Sequence, residues 1–314
     1  MKVYVKTPAR LHLGLIDLNG DLGRFFGGLG VGINRPNVIL EAQPSETLII
    51  KGERRDLVKA LSERFLDKYR IKTSARIDVA EAIPEHSGLG SGTQLALAVA
   101  TALSRLFDVE ASTIELAEAM GRGQRTSVGT TIFERGGFVL DGGKGENCFP
   151  ATILHKPFPS DWVFVVAVPN VNKGLAKNEE TAAFNALAPM KSEEAGRICR
   201  LIIMKLLPAL VERDIHSFGE ALTLIQTIIG NHFSKVQGGT YSSQTVTEGI
   251  ALMQEHGAYG TGQSSWGPAF YGLTKKEKAE KIKLKIQAFL NENANGKVFL
   301  AKANNQGAHI QVTG

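Results

Sequence analysis

Apolar and polar positions alternate with a period of two over Lys2–Thr7 and Leu11–Leu15, with Pro8 between them, and this spacing predicts two strands. Val38–Ala42 and Thr47–Lys51 alternate in the same way and are expected to pair as a hairpin. Arg54–Arg70 takes helical spacing, and Ser74–Ala80 returns to alternation. The stretch PEHSGLGSGTQLALAVATAL, Pro84–Leu103, then changes character: a glycine-rich turn runs straight into an Ala/Leu/Val segment with no helix breaker. Leu95, Val99, Ala102, Leu103 and Leu106 recur at helical intervals, so one stripe of this helix is expected to be buried. Ile114–Gly121 predicts a further helix and Phe138–Leu140 a strand.

Around Pro150, Pro157 and Pro159 the pattern loosens, which predicts a boundary between a domain of residues 1–158 and one of residues 159–314. The second half opens on the continuous apolar run Trp162–Val168, suited to a strand buried on both faces. Helical segments follow at Glu179–Leu187, Glu193–Val211, Ile215–Gly230, Ser242–His256 and Lys275–Asn291, then strands at Val298–Ala301 and His309–Val312. Such a mixture of strands and helices predicts an α+β fold.

Composition narrows the function classes. With 43% hydrophobic and 21% charged residues the 314-residue chain reads as an ordinary folded protein. No apolar run reaches the ~18 residues of a membrane span, and Met1–Leu15 alternates like a strand instead of carrying a signal-peptide core, so a cytoplasmic protein is expected. Cys148 and Cys199 have no CxxC spacing, and the histidines form no HxxH or HExxH pattern, so neither a disulfide framework nor a zinc site is expected. The net charge of +5 admits nucleic acid or an acidic small molecule. The lysine-dense stretch after Leu273 interleaves Ile282, Leu284 and Ile286 like an amphipathic surface helix, without the aromatic-studded basic stripe of a nucleic-acid binder.

The glycine stretch carries the chemistry. The first amides of a helix have no internal partner and sit at the positive end of its dipole, and Gly88, Gly90 and Gly92 let an anion approach them. No Lys follows as in GxxxxGK[ST], and the spacing is not GxGxxG. PEHSGLGSGTQ instead resembles the P-x-x-x-G-L-G-S-S loop of the GHMP kinase superfamily, with Gly92-Thr93 where most kinases continue with Ser. Together with KTPARLHLGLIDLNGDLGRFFGGLGVGI and RGQRTSVGTTIFERGGFVLDGG, it is similar to the β-ribofuranosylaminobenzene 5′-phosphate synthase family of archaeal methanopterin biosynthesis, and the similarity runs over nearly the whole chain.

That resemblance implies a two-domain fold, ribosomal-protein-S5-like then ferredoxin-like, with the active site between the halves. It implies a phosphoribosyl transfer from phosphoribosyl pyrophosphate to 4-aminobenzoate or 4-hydroxybenzoate with loss of CO2 and pyrophosphate, a Mg²⁺ cofactor and a possible homodimer. GHMP kinases carry an aspartate in the segment that is here Ser127–Glu134; none is present, which removes a general base and turns the reading away from an ATP-dependent kinase.

Under this chemistry the phosphate seat is Gly88, Gly90, Ser91, Gly92, Thr93 and Gln94. Arg10, Arg24, Arg122 and Arg125 are candidate holders of phosphate or carboxylate, each equally readable as a surface or ion-paired arginine. Asp17 is expected to contact metal or ribose, or else to cap its own turn through Asn19 or Gly20; His12 donates to phosphate or is structural. Ser91 and Glu134 are candidate Mg²⁺ ligands, although Glu134 also has Arg135 as a neighbour. Ser127 is a candidate substrate-binding hydroxyl, and it and Thr130 are also readable as hydroxyls at a helix N-cap. Gly262, Ser264, Ser265 and Trp266 belong to a loop closing on the substrate, and Trp266, Phe25 and Phe26 either stack on its ring or pack the core.

Overall fold

The computed structural model describes residues 1–171 and 177–314. In the N-terminal half, β1 (Lys2–Lys6), β4 (Ile39–Ser45), β5 (Ile49–Gly52) and β6 (Ser74–Glu81) belong to a five-stranded sheet. One of its two edge strands is β13 (His309–Thr313), which comes from late in the chain to pair antiparallel with β1. A second sheet runs β2 (Ala9–Asp17), β3 (Phe26–Ile33), β7 (Phe138–Asp141), β8 (Thr152–Lys156). The helices of this half are α1 (Arg55–Tyr69), α2 (Ser91–Leu106), α3 (Thr113–Ala119) and α4 (Val128–Arg135).

The expected hairpin of Val38–Ala42 with Thr47–Lys51 does not form. Strand β6 lies between β4 and β5, antiparallel to the first and parallel to the second. A β5–α1–β6 crossover explains the outcome, because parallel neighbours need an intervening helix, and the buried residues Ala75, Ile77 and Val79 give β6 the stronger claim to a central position.

Two glycine-rich stretches behave differently from their appearance in sequence. Gly23–Gly32 reads as a glycine patch, yet Phe26–Ile33 is a strand buried nearly throughout. The glycines serve close packing, since a Cβ at Gly30 would collide with the Cγ1 of Val128 on α4. Helix α2 is buried on almost every side, from Gln94 to Ser104, and not along one stripe. It packs against α1, α3, α4, β1 and β4, so its lack of a polar face is a consequence of its central place.

The C-terminal half is built on an antiparallel sheet of order β10 (Gly260–Gln263), β11 (Phe270–Lys275), β9 (Trp162–Pro169), β12 (Gly296–Lys302). Helices α5 (Lys177–Ala186), α6 (Ser192–Leu201), α7 (Leu207–Glu212), α8 (Ile215–Gln237) and α9 (Gln244–Glu255) intervene between β9 and β10, and α10 (Lys276–Asn293) between β11 and β12. This is a βαββαβ sheet of ferredoxin type, as the resemblance implied. A π-helical turn, Ile202–Leu206, interrupts the expected Glu193–Val211 helix. The double-sided apolar character of β9 is explained by its neighbours. Val163, Val165 and Ala167 face a cluster with Ile282 and Ile286 of α10, while Trp162, Phe164 and Val166 face the main core. On α10 the lysines are outward and Ala279, Ile282, Ile286 and Leu290 inward. No helix among the described residues is long and apolar enough to cross a membrane.

Candidate active site

Three segments meet at the glycine turn. Gly88 adopts φ +81°, and a Cβ there would strike the Ser264 carbonyl oxygen, so only glycine lets the turn lie against the loop that follows β10. The Ser264 hydroxyl, fully buried, donates to the Gly88 carbonyl at 2.7 Å and accepts the His12 amide at 2.9 Å, while the Ala269 amide donates to Ser87 at 3.1 Å. From β2, Arg10 gives its backbone N–H to Leu89 and its Nη1 to the Gly88 carbonyl at 2.5 Å. Both halves of the chain therefore hold the turn in one shape.

Gly90 is the N-cap of α2, with φ 82° and no side-chain cap. Its carbonyl takes the amides of Thr93 and Gln94, both at 3.1 Å, and among the described residues no backbone acceptor takes those of Ser91 or Gly92. Those two amides, at the positive end of a 16-residue helix, form a seat for an anion. The seat opens into a cavity of about 510 Å³. Among the described residues, Arg10, Arg54, Arg122 and Arg125 line it together with one carboxylate, Glu85, which is ion-paired with Arg54.

The arginines differ in state. Arg122 is largely buried, its guanidinium against Gly92; Nε has no hydrogen-bond partner, and burial first, then the nearby Arg64, lower its pKa. A cation in that condition is completed by an anion. The guanidinium of Arg125 lies 4.6 Å over the ring of Phe184. Phe184, Phe233 and Trp266 form an edge-to-face triad, with centroids 5.3 Å, 5.7 Å and 4.7 Å apart, at this end of the cavity. His12 also lines the cavity; burial, assisted by Arg10, lowers its pKa to about 3, so its imidazole is neutral at pH 7.

The structure thus brings together Arg10, His12, Gly88, Gly90, Ser91, Gly92, Thr93, Arg122, Arg125, Ser265 and Trp266 around one cavity. Other sequence candidates lie elsewhere. Asp17 does not line the cavity, and its Oδ1 accepts the amides of Asn19 at 2.7 Å and Gly20 at 3.1 Å, the turn-capping role. Arg24 donates to the carbonyls of Gly142 and Gly143, both at 2.7 Å. Glu134 pairs with Arg135 at 2.9 Å beside a separate cavity. Gln94 is buried behind the seat, donating to Gly129 at 2.9 Å.

Ser127 stands at the N-cap of α4 without capping it through its side chain; its amide donates to Asp141 at 2.9 Å and its hydroxyl meets Thr152 at 2.9 Å. Thr130 is buried within α4. Gly262 packs against Gln226, whose amide bridges β2 and β10 through Leu13 and Gln263. Phe25 and Phe26 meet edge to face with centroids 4.5 Å apart, and Phe26 backs Phe184 from outside the cavity. Arg54, Glu85 and the α8 residues Ile229 and Phe233 carry no motif and were missed; only the position of Glu85, directly before the glycine turn, marks it in sequence.

A Mg²⁺ held by protein side chains draws on one or two carboxylates. Among the described residues the cavity offers one carboxylate, Glu85, already bound to Arg54, and no three His, Cys, Asp or Glu side chains converge. The described residues do not form such a cage.

Residues 56–133 match the GHMP kinases N terminal domain and residues 206–292 the GHMP kinases C terminal domain. Solved structures of the same fold include homoserine kinase from Cytophaga hutchinsonii and mevalonate kinase from Methanococcus jannaschii. Each superimposes with a TM-score of 0.70, at 17% identity over 99% of this chain and 97% of that one, and at 15% over 96% and 98%. Over full length the chain is 33% identical to β-ribofuranosylphenol 5′-phosphate synthase of Archaeoglobus fulgidus, covering 98% of this chain and 99% of that one. It is 32% identical to the protein of the same name from Methanocaldococcus jannaschii, covering 98% and 100%. The chain belongs to the β-ribofuranosylphenol 5′-phosphate synthase family, within the GHMP fold.

Proposed function

We propose that the protein is a decarboxylating phosphoribosyltransferase that joins phosphoribosyl pyrophosphate to a 4-substituted benzoate. The observation that carries this reading is the cavity's composition among the described residues: an anion seat on α2, four arginines, an aromatic triad and one carboxylate, tied to Arg54. A phosphotransferase needs a carboxylate or its equivalent to orient the accepting hydroxyl, and the segment Ser127–Glu134 places none in this cavity. The name of the family's relatives favours 4-hydroxybenzoate as acceptor, with 4-aminobenzoate as its congener.

The reaction balances without a general base. The bond from ribose C1 to the diphosphate oxygen breaks, its electron pair leaving with the diphosphate. A new C–C bond forms between C1 and the ring carbon bearing the carboxylate. The bond from that carbon to the carboxyl carbon then breaks, returning its pair to the ring and releasing CO2. The amides of Ser91 and Gly92 with Arg122 and Arg10 receive the charge that develops on the diphosphate, as fixed donors needing no reorganisation. Arg125, over Phe184, pairs with the benzoate carboxylate while the triad holds the ring flat and keeps water from the cationic ribosyl centre.

Incubation with phosphoribosyl pyrophosphate and carboxyl-labelled 4-hydroxybenzoate tests the proposal. Labelled CO2 and pyrophosphate appear in equal amounts if it holds. Retention of the label, with ATP consumed in a parallel reaction, would refute it.

A further inference from the structure

A site built to take two anions, a diphosphate and a carboxylate, gains nothing electrostatically from a carboxylate of its own. Glu85 nevertheless lines the cavity three residues before Gly88, where it weakens the attraction for both anions. Its position is fixed from behind, with Oε1 ion-paired to Nη2 of Arg54, whose Nη1 is buried without a hydrogen-bond partner. Oε2 has no partner among the described residues. Retention of a negative group at such a place points to a neutral, hydroxyl-rich part of the ligand, because a carboxylate is the strongest acceptor a protein can aim at an O–H.

The competing acceptors of the cavity are mostly committed. Gln226 Oε1 takes the Gln263 amide at 2.9 Å, and Gln263 Oε1 takes the Ser242 amide at 2.7 Å. At the other end, Phe184, Phe233 and Trp266 offer an apolar wall that suits a ring and not a sugar. Glu85 and the glycine turn belong to one chain segment and line the same cavity, so a diphosphate seated on α2 leaves the sugar attached to it on the Glu85 side of that cavity within a few residues' reach.

We propose that Glu85 is the sugar-recognition residue of this site, accepting hydrogen bonds from the ribosyl 2- and 3-hydroxyls, and that it selects ribosyl over deoxyribosyl donors. The assignment rests on the ribosyl-transfer reading above. Arg54 is then a positioning residue, holding the carboxylate in place from the start of α1.

The test compares CO2 release from labelled 4-hydroxybenzoate with 5-phosphoribosyl 1-diphosphate and with its 2-deoxyribosyl counterpart, for the native chain, Glu85→Ala and Glu85→Gln. A charge-assisted hydrogen bond to a partly exposed group sets the expected loss: kcat/KM of Glu85→Ala for the ribosyl donor falls roughly tenfold or more, while the deoxyribosyl donor loses much less, so the preference between them collapses. Glu85→Gln, which keeps an acceptor oxygen without the charge, falls between. An equal drop with both donors would overturn the proposal, since that is what a mere tether between α1 and the turn gives, and so would unchanged kinetics. A native chain that turns over neither donor contradicts the ribosyl-transfer reading itself and takes the proposal with it; turnover with an unaltered preference contradicts only the role of Glu85.

Discussion

Replacing Arg122 by Met separates stability from affinity in a way few substitutions can. The native guanidinium is largely buried against Gly92, its Nε has no acceptor, and Arg64 adds like charge beside it. The free protein therefore carries an uncompensated desolvation cost that a neutral side chain of similar length removes. Arg122→Met is expected to leave stability unchanged or to raise it by about 1 kcal/mol, a shift of roughly 2–4 °C in Tm at most. Affinity moves the other way. One charge-assisted hydrogen bond to a phosphate oxygen is worth about 1.5–3 kcal/mol, so Kd for phosphoribosyl pyrophosphate rises roughly ten- to hundredfold. Thermal unfolding of the free protein and titration calorimetry with phosphoribosyl pyrophosphate give both numbers. A Tm that drops by more than a few degrees, or a Kd within twofold of native, would refute the view of Arg122 as a cation waiting for an anion.

Acid stability should show two opposed contributions. His12 has a folded pKa of about 3 against 6.5 unfolded, so its contribution is present above pH 6.5 and is lost as pH falls toward 3, by about 1.4 kcal/mol per pH unit. Asp141, buried beneath amides of Ser127 and Gly143, has a folded pKa raised to about 6 from 3.8, so its contribution is largest below pH 3.8 and is lost as pH rises through 6. Between pH 6 and 4 the two nearly cancel, and His12→Gln should leave a protein that gains stability on acidification, readable as a rising denaturant midpoint; a falling midpoint contradicts the assignment. Gly30→Ala should cost about 1–3 kcal/mol, because the new methyl meets Val128, and Val128→Ala in the same chain should restore part of it, as chemical denaturation would record. Trp266→Leu should raise KM for the benzoate roughly three- to tenfold with little change in Kd for phosphoribosyl pyrophosphate; equal losses in both would place Trp266 in the fold and not in the acceptor site. Asp17→Asn, whose side chain can still cap the turn, should leave kcat/KM within about twofold.

What could be read from the residues follows from how local each signal is. The glycine turn and the helix it opens are specified within twenty consecutive positions, by missing Cβ atoms and an unbroken apolar run, and both stand where the pattern placed them. The buried strand Trp162–Pro169 is legible for the same reason. Strand β3 was hidden because its glycines answer to Val128 and Ile132 on α4, about a hundred residues away. The order β4–β6–β5 depends on a crossover and not on spacing between neighbouring strands. Within the site, Arg10, Arg122 and Arg125 sit beside glycine-rich segments and could be found, whereas the aromatic wall draws Phe184 and Phe233 from helices without any motif. Asp17 illustrates the opposite error. A carboxylate at a strand end looks catalytic in sequence, but the amides of Asn19 and Gly20, two and three residues on, already occupy it.

The most direct measurement is diffraction from crystals soaked with phosphoribosyl pyrophosphate in the absence of acceptor. Diphosphate density within hydrogen-bond reach of the Ser91 and Gly92 amides and the Arg122 guanidinium is the expected result. Density seated away from α2, with those amides and Arg122 untouched, would contradict the account.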